Sequence, residues 1–88
     1  MGVVFLLMIL GHSGGEHIMG TASAVSERSI TIATAQGKDV VLAVDAATKF
    51  EKAKKPATIA EVKVGVRVVA HAKRDGETLR ATLIKVAD

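Results

Sequence analysis

The chain has 88 residues, no cysteine and only two aromatics, Phe5 and Phe50. Its length allows one domain with a small core, and the missing cysteine excludes a disulfide framework, a thiol nucleophile and a lipid-bearing cysteine. Twelve basic against nine acidic residues give +3, a mildly basic balance that an ordinary solvated surface explains.

Residues 2–10, Gly-Val-Val-Phe-Leu-Leu-Met-Ile-Leu, are an unbroken apolar run. It is shorter than the roughly 20 residues that span a bilayer, but it suits the apolar core of a secretory signal, about 7–15 residues. The small residues Gly11–Gly15 follow it, as at a cleavage region. No basic residue precedes the run, and no Ala-x-Ala follows it. A native start upstream of Met1 accounts for the first gap. Residues 1–14 are therefore read as a signal-peptide remnant. The competing readings are a structural strand or interface segment, through which copies of the chain could associate, and a membrane-surface anchor. Residues 15–88 are the folded domain.

From Ile18 the pattern becomes a series of short strands. Ile18–Val25 is the first, and Gly20 inside it predicts a bulge or bend. Ser29–Ala35 is the second, with Ile30 and Ile32 on one face. Asp39–Val44 is the third, with Val40, Leu42 and Val44 inward. Thr48–Lys52 is the fourth, with Phe50 inward. Ala53–Thr58 reads as a basic loop ending near Pro56. Thr58 and Glu61 have capping-box spacing, and Ile59 and Val62 share a face at helical spacing, so one short helical turn follows the fourth strand.

The clearest order lies in residues 59–76. Val66, Val68, Ala70 and Ala72 alternate with Arg67, Val69, His71 and Lys73, the period of a half-buried strand. Asp75-Gly76 signals a hairpin. In the returning strand, Leu79, Ala81 and Leu83 alternate inward, and Ile84 and Val86 take the opposite phase, which calls for a bulge near Leu83-Ile84. These elements define an all-β domain: a small six-stranded, partly open, OB-like antiparallel barrel with one short helical turn between strands 4 and 5. The expected inward set is Ile18, Ile30, Ile32, Val40, Leu42, Val44, Phe50, Ile59, Val62, Val68, Ala70, Leu79, Ala81 and Leu83.

The segments Ile18-Met-Gly-Thr-Ala-Ser-Ala-Val25, Ser29-Ile-Thr-Ile32, Asp45-Ala-Ala-Thr-Lys-Phe50, Ile59-Ala-Glu-Val-Lys-Val-Gly-Val-Arg-Val68 and Leu79-Arg-Ala-Thr-Leu-Ile84 are similar in order and spacing to a bacterial family, domain-of-unknown-function family 5666. The resemblance covers about residues 18–87. It implies a small OB-like β-barrel, typically in an exported protein, and so a periplasmic or secreted location. Its motifs are structural: the strand glycine, the Thr after the third strand, the apolar turn and the Gly-x-Arg-Val strand start. Val66 departs from the Asp that many members carry there. The family brings no activity with it.

Two residue sets could carry function. His12, Glu16 and His17 offer imidazole and carboxylate ligands for zinc or copper, with His71 elsewhere in the chain. A cut after Gly14 would put His17 third from a free amine, an arrangement that holds copper or nickel through the amine, two amides and the imidazole. Set against this is a polar linker with incidental histidines. The second set is basic: Lys49, Lys52, Lys54, Lys55, Arg67, Lys73 and Arg74. It could meet an anionic envelope polymer, a lipid headgroup or a protein partner, or it could simply be a solvated face. Single-strand binding on barrels adds aromatic stacking to cationic grooves. No exposed aromatic is expected here, and Glu51, Glu61, Asp75 and Glu77 interrupt the positive field, which disfavours nucleic acid. No nucleophile–base–orienter spacing is visible and no cofactor motif is present, so the chain reads as a non-catalytic binding or structural module of the bacterial cell envelope or secreted space. The alternative is a cytoplasmic nucleic-acid-binding barrel.

Overall fold

A computed structural model describes residues 15–87. The apolar segment, 1–14, with His12, lies outside the described residues. The strands are β1 (Glu16–Val25), β2 (Ser29–Thr34), β3 (Asp39–Ala43), β4 (Lys49–Lys52), β5 (Lys55–Ala57), β6 (Arg67–Asp75) and β7 (Thr78–Val86), with a 3₁₀ turn at Ile59–Glu61. They form one sheet in the order β3-β2-β1-β6-β7-β4-β5. A further parallel bridge, Ala43 to Arg80, joins β3 to β7. That bridge closes β1, β2, β3, β7 and β6 into a five-stranded barrel, and closure gives the β3 edge a partner in β7. The β4–β5 hairpin extends from the rest of the β7 edge, with Lys49–Lys52 parallel to Leu83–Val86.

The domain thus has seven strands among the described residues, where the sequence suggested six. The extra strand is β5, inside the segment read as a basic loop. Ala53 (φ 56°) and Lys54 (φ 67°) both occupy the left-handed region. They make a two-residue turn of the type that fits the strand twist, and Lys52 pairs with Lys55 across it. Asn-Gly is the usual signal for such a turn, and Ala-Lys carries none. Pro56 is tolerated because β5 lies at the free end of the sheet. The helical turn consequently falls between β5 and β6. Thr58 caps it, its hydroxyl accepting from the Ala60 amide at 3.3 Å. Glu61 does not complete the capping box but pairs with Lys52 at 3.3 Å.

The core holds Ile18, Ala22, Ile30, Ile32, Leu42, Val62, Val68, Ala70, Ala72, Leu79, Ala81, Ile84 and Val86. Val40, Val44, Phe50 and Ile59, expected inside, are partly buried against it. Leu83 is half-buried on the outer side of β7, and Ile84 and Val86 take the interior instead. The cause is a bulge at Thr82. The β6–β7 register runs His71–Leu83 and then Ala72–Ala81, leaving Thr82 unmatched. The Thr82 hydroxyl donates to the His71 carbonyl at 3.0 Å. The bulge sits one residue before the expected place and reverses the phase of the last strand. It also lies where the free edge of β7 changes partner, from β3 at Arg80 to β4 at Leu83. Buried Thr48 spans that junction, donating to the Ala81 carbonyl at 2.8 Å.

Gly20 does not sit at a bulge. It pairs regularly with Thr34 and Val68, and the β1 bulge falls between Ala22 and Ala24. A Cβ on Gly20 would lie 2.2 Å from the Ala33 carbonyl oxygen, so glycine is required by the close approach of β2. The hairpin after β6 is centred on Gly76 (φ 67°) and Glu77, with Asp75 pairing to Thr78 at its base.

Candidate functional site on the outer sheet face

Alternation divides each strand between core and surface. On β1, Ile18 and Ala22 are buried, so His17, Met19 and Thr21 face out. On β6, buried Val68, Ala70 and Ala72 leave Arg67, Val69, His71 and Lys73 outside. The registers align His17 with His71, His71 with Leu83, and Leu83 with Lys49. The next row is Met19, Val69, Lys85 and Glu51. The outer face of β1, β6, β7 and β4 thus gathers two imidazoles, a thioether, the cations Lys49, Arg67, Lys73, Arg80 and Lys85, and the acids Glu51 and Asp75.

The two imidazoles are in contact. Their ring centroids are 4.2 Å apart, with the planes tilted by 46°. The His71 pKa is lowered, first by burial, then by the charges of His17 and Lys85, with Glu51 opposing. Its neutral form is therefore favoured, and neutral imidazole is the form that binds metals. Met19 lies two residues from His17 on the same face and diagonally across from His71. Its side chain is unusually open for a large apolar residue, at 64% exposure. A shallow depression of 420 Å³ adjoins it, bordered by Arg67, Val69 and Lys85.

Of the expected ligands, His17 is at this centre and Glu16 is not. Glu16 accepts an ion pair from Arg74 at 3.5 Å, on the opposite phase of β1 from His17. The amides of Glu16 and His17 belong to residues paired with Ala72 and His71. A square-planar site through those amides would have to unpair the start of β1. No group of three or more His, Cys, Asp or Glu side chains is placed to share a metal among the described residues.

The basic set does not converge. Lys52 is paired with Glu61, and Arg74 with Glu16. Lys54 and Lys55 sit at the β4–β5 hairpin, Lys49 beside Leu83, and Arg67 and Lys73 at opposite ends of β6, about 20 Å apart at strand rise. Phe50 packs against the core. Sequence reasoning missed Met19 as a donor, and it placed His71 outward without its partner. The phase of each strand was visible; the β1–β6 register, which joins them, was not. A second concavity, an open groove of 680 Å³ lined by Val44, Phe50 and Ile59, with Arg28 and Asp45 at its rim, holds no comparable cluster of ligand donors.

A closed five-stranded barrel with a lateral hairpin and a histidine-bearing outer face defines a small all-β barrel domain. The chain belongs to the family described as Domain of unknown function (DUF5666), which matches residues 19–85. Among solved structures it is similar to silver(I)-bound CusF, with a TM-score of 0.66 and 17% identity over 84% of this chain and 99% of that one. That likeness is one of fold. Among curated proteins nothing matches.

Proposed function

We propose that this domain is a non-catalytic binding module of the bacterial cell envelope or secreted space, and that its binding surface is the outer face of β1, β6, β7 and β4. The observation that carries the reading is the His17–His71 contact, 4.2 Å between centroids, beside exposed Met19. Stability alone gives no reason to place two imidazoles and a thioether together on a solvated face. The order β1-β2-β3-β7-β6 with a parallel closing bridge supports the OB-like description, and such barrels serve as binding scaffolds. The apolar run at residues 2–10 supports export as a signal remnant. The fold neighbour was solved with silver(I), which makes a metal ion a reasonable cargo for a barrel of this shape. The nucleic-acid alternative gains no support from a basic set that is dispersed and partly ion-paired.

The test is expression of the complete chain in a bacterium with a C-terminal tag, followed by intact mass in cytoplasmic, periplasmic and membrane fractions. A trimmed periplasmic product is expected. An untrimmed cytoplasmic product would sink the export half of the reading.

A further inference from the structure

We infer that His17, His71 and Met19 form a binding site for a soft monovalent cation, Cu(I) or its heavier analogue Ag(I). The inference rests on the reading that this outer face is the binding surface, and it names the ligand class.

The donors come first. Thioether sulfur is a soft ligand that selects Cu(I), and imidazole binds copper well. His17 and His71 are directly opposed in the β1–β6 register, and their rings already touch at 4.2 Å. Met19 stands opposite Val69, next to His71 on β6. A diagonal cross-strand neighbour of this kind lies about 7–8 Å away between backbones, within reach of a long side chain. Along β1, His17 and Met19 share a face at about 6.6 Å, two strand residues apart. All three side chains are on the surface and can rotate to admit an ion between them without disturbing the core.

The charges select the ion. Among the described residues, Lys49, Arg67, Lys73, Arg80 and Lys85 share this face with two acids, Glu51 and Asp75, and Asp75 is paired with Arg80 at the far end of β6. Calcium and magnesium require several oxygen ligands, and Glu51 stands beside Lys85 in the register. Glu16, the nearest carboxylate in sequence, is engaged by Arg74. A divalent ion would meet twice the repulsion from these cations that a monovalent one meets. Three neutral donors in a cationic setting suit a monovalent soft ion.

The experiment uses the full chain as the bacterium produces it. Silver nitrate in chloride-free buffer, and Cu(I) delivered anaerobically from a colorimetric chelator, are titrated into the native chain and into His17→Gln, His71→Gln, Met19→Leu and His12→Gln. Zinc is titrated in parallel. The methionine methyl and imidazole resonances are followed by NMR, and thermal melts by far-ultraviolet circular dichroism confirm that each surface variant is folded. The expected result is one ion per chain, shifts at Met19 and both histidines, and a loss of about tenfold or more in Ag(I) and Cu(I) affinity for each of the first three variants. His12→Gln should bind like the native chain. Met19→Leu should leave zinc binding unchanged. Absence of binding, or undiminished binding in His17→Gln and His71→Gln, would overturn the site. Loss in His12→Gln alone would move the ion to the N-terminal segment and overturn it as well. The two readings fail separately. A trimmed periplasmic product that binds no Ag(I) refutes the metal site and leaves export intact. An untrimmed cytoplasmic product that binds Ag(I) through these residues refutes export alone.

Discussion

Gly20→Ala tests whether β1 is held by backbone approach. Gly20 is in extended pairing with both neighbours, so alanine would suit its local conformation. Its new methyl, however, would lie 2.2 Å from the Ala33 carbonyl oxygen, 2.9 Å from its carbon and 2.8 Å from Ile32 Cγ2. Two of those atoms are backbone and cannot rotate away. Ile32 is fully buried, so its methyl has little room to yield. Relief requires β1 and β2 to separate by most of an ångström, which weakens their ladder and loosens the packing around Ile32. Overpacking of a filled site costs about 1–3 kcal/mol, and immovable backbone places this case at about 3 kcal/mol or above. A chain of this size holds roughly 4–13 kcal/mol in all. The assay is urea denaturation followed by circular dichroism, with Gly15→Ala as control, because nothing lies within 4 Å of a Cβ there. A midpoint well below the native value at unchanged slope is expected for Gly20→Ala, and Gly15→Ala should match the native chain. If Gly20→Ala matched it too, the close approach of β2 would be wrong.

The bulge at Thr82 is tested by a pair of variants. Ile84→Ala should cost about 2–5 kcal/mol and Leu83→Ala much less; the reverse order in urea melts would put the phase change elsewhere. Thr48→Val removes the donor to the Ala81 carbonyl and should cost about 1–3 kcal/mol, read as a lower thermal midpoint with the fold retained. At the β4–β5 turn, replacing Ala53-Lys54 by Asn-Gly should stabilise the chain by about 1 kcal/mol, since it relieves two left-handed residues; a lower midpoint would contradict the turn geometry. The pH dependence follows from His71. Its folded pKa is lowered by burial, His17 and Lys85 against the pull of Glu51, so below its ordinary value of 6.5 the unfolded chain takes up the proton first. The stability that His71 retains above that pH is lost as pH falls through it. Urea melts between pH 7.5 and pH 5.5 should therefore show a steeper loss for the native chain than for His71→Gln, and equal slopes would remove His71 as the cause.

Much of this molecule was legible along the chain because strand alternation, turn residues and caps are local. Period two alone points Ile30, Ile32 and Leu42 inward, and the spacing around Thr58 marks it as a cap. Gly37 and Gly76 mark turns where their positive φ values are observed. The likeness to the family followed from the same local motifs. Failures came where a neighbour decided the outcome. β5 has no turn signal, because two residues are forced into the left-handed region by pairing with β4. Leu83 lost its inward place to Ile84 because β7 must serve β3 and β4 in succession, and Thr82 takes up the change. Gly20 looked like a bend until β2 was placed against it. The candidate site has the same origin. The sequence determined that His17, Met19 and His71 each point away from the core, since one residue in two does so on every half-buried strand. Only barrel closure, by bringing β6 beside β1 in one register, set the two imidazoles in contact and Met19 beside them.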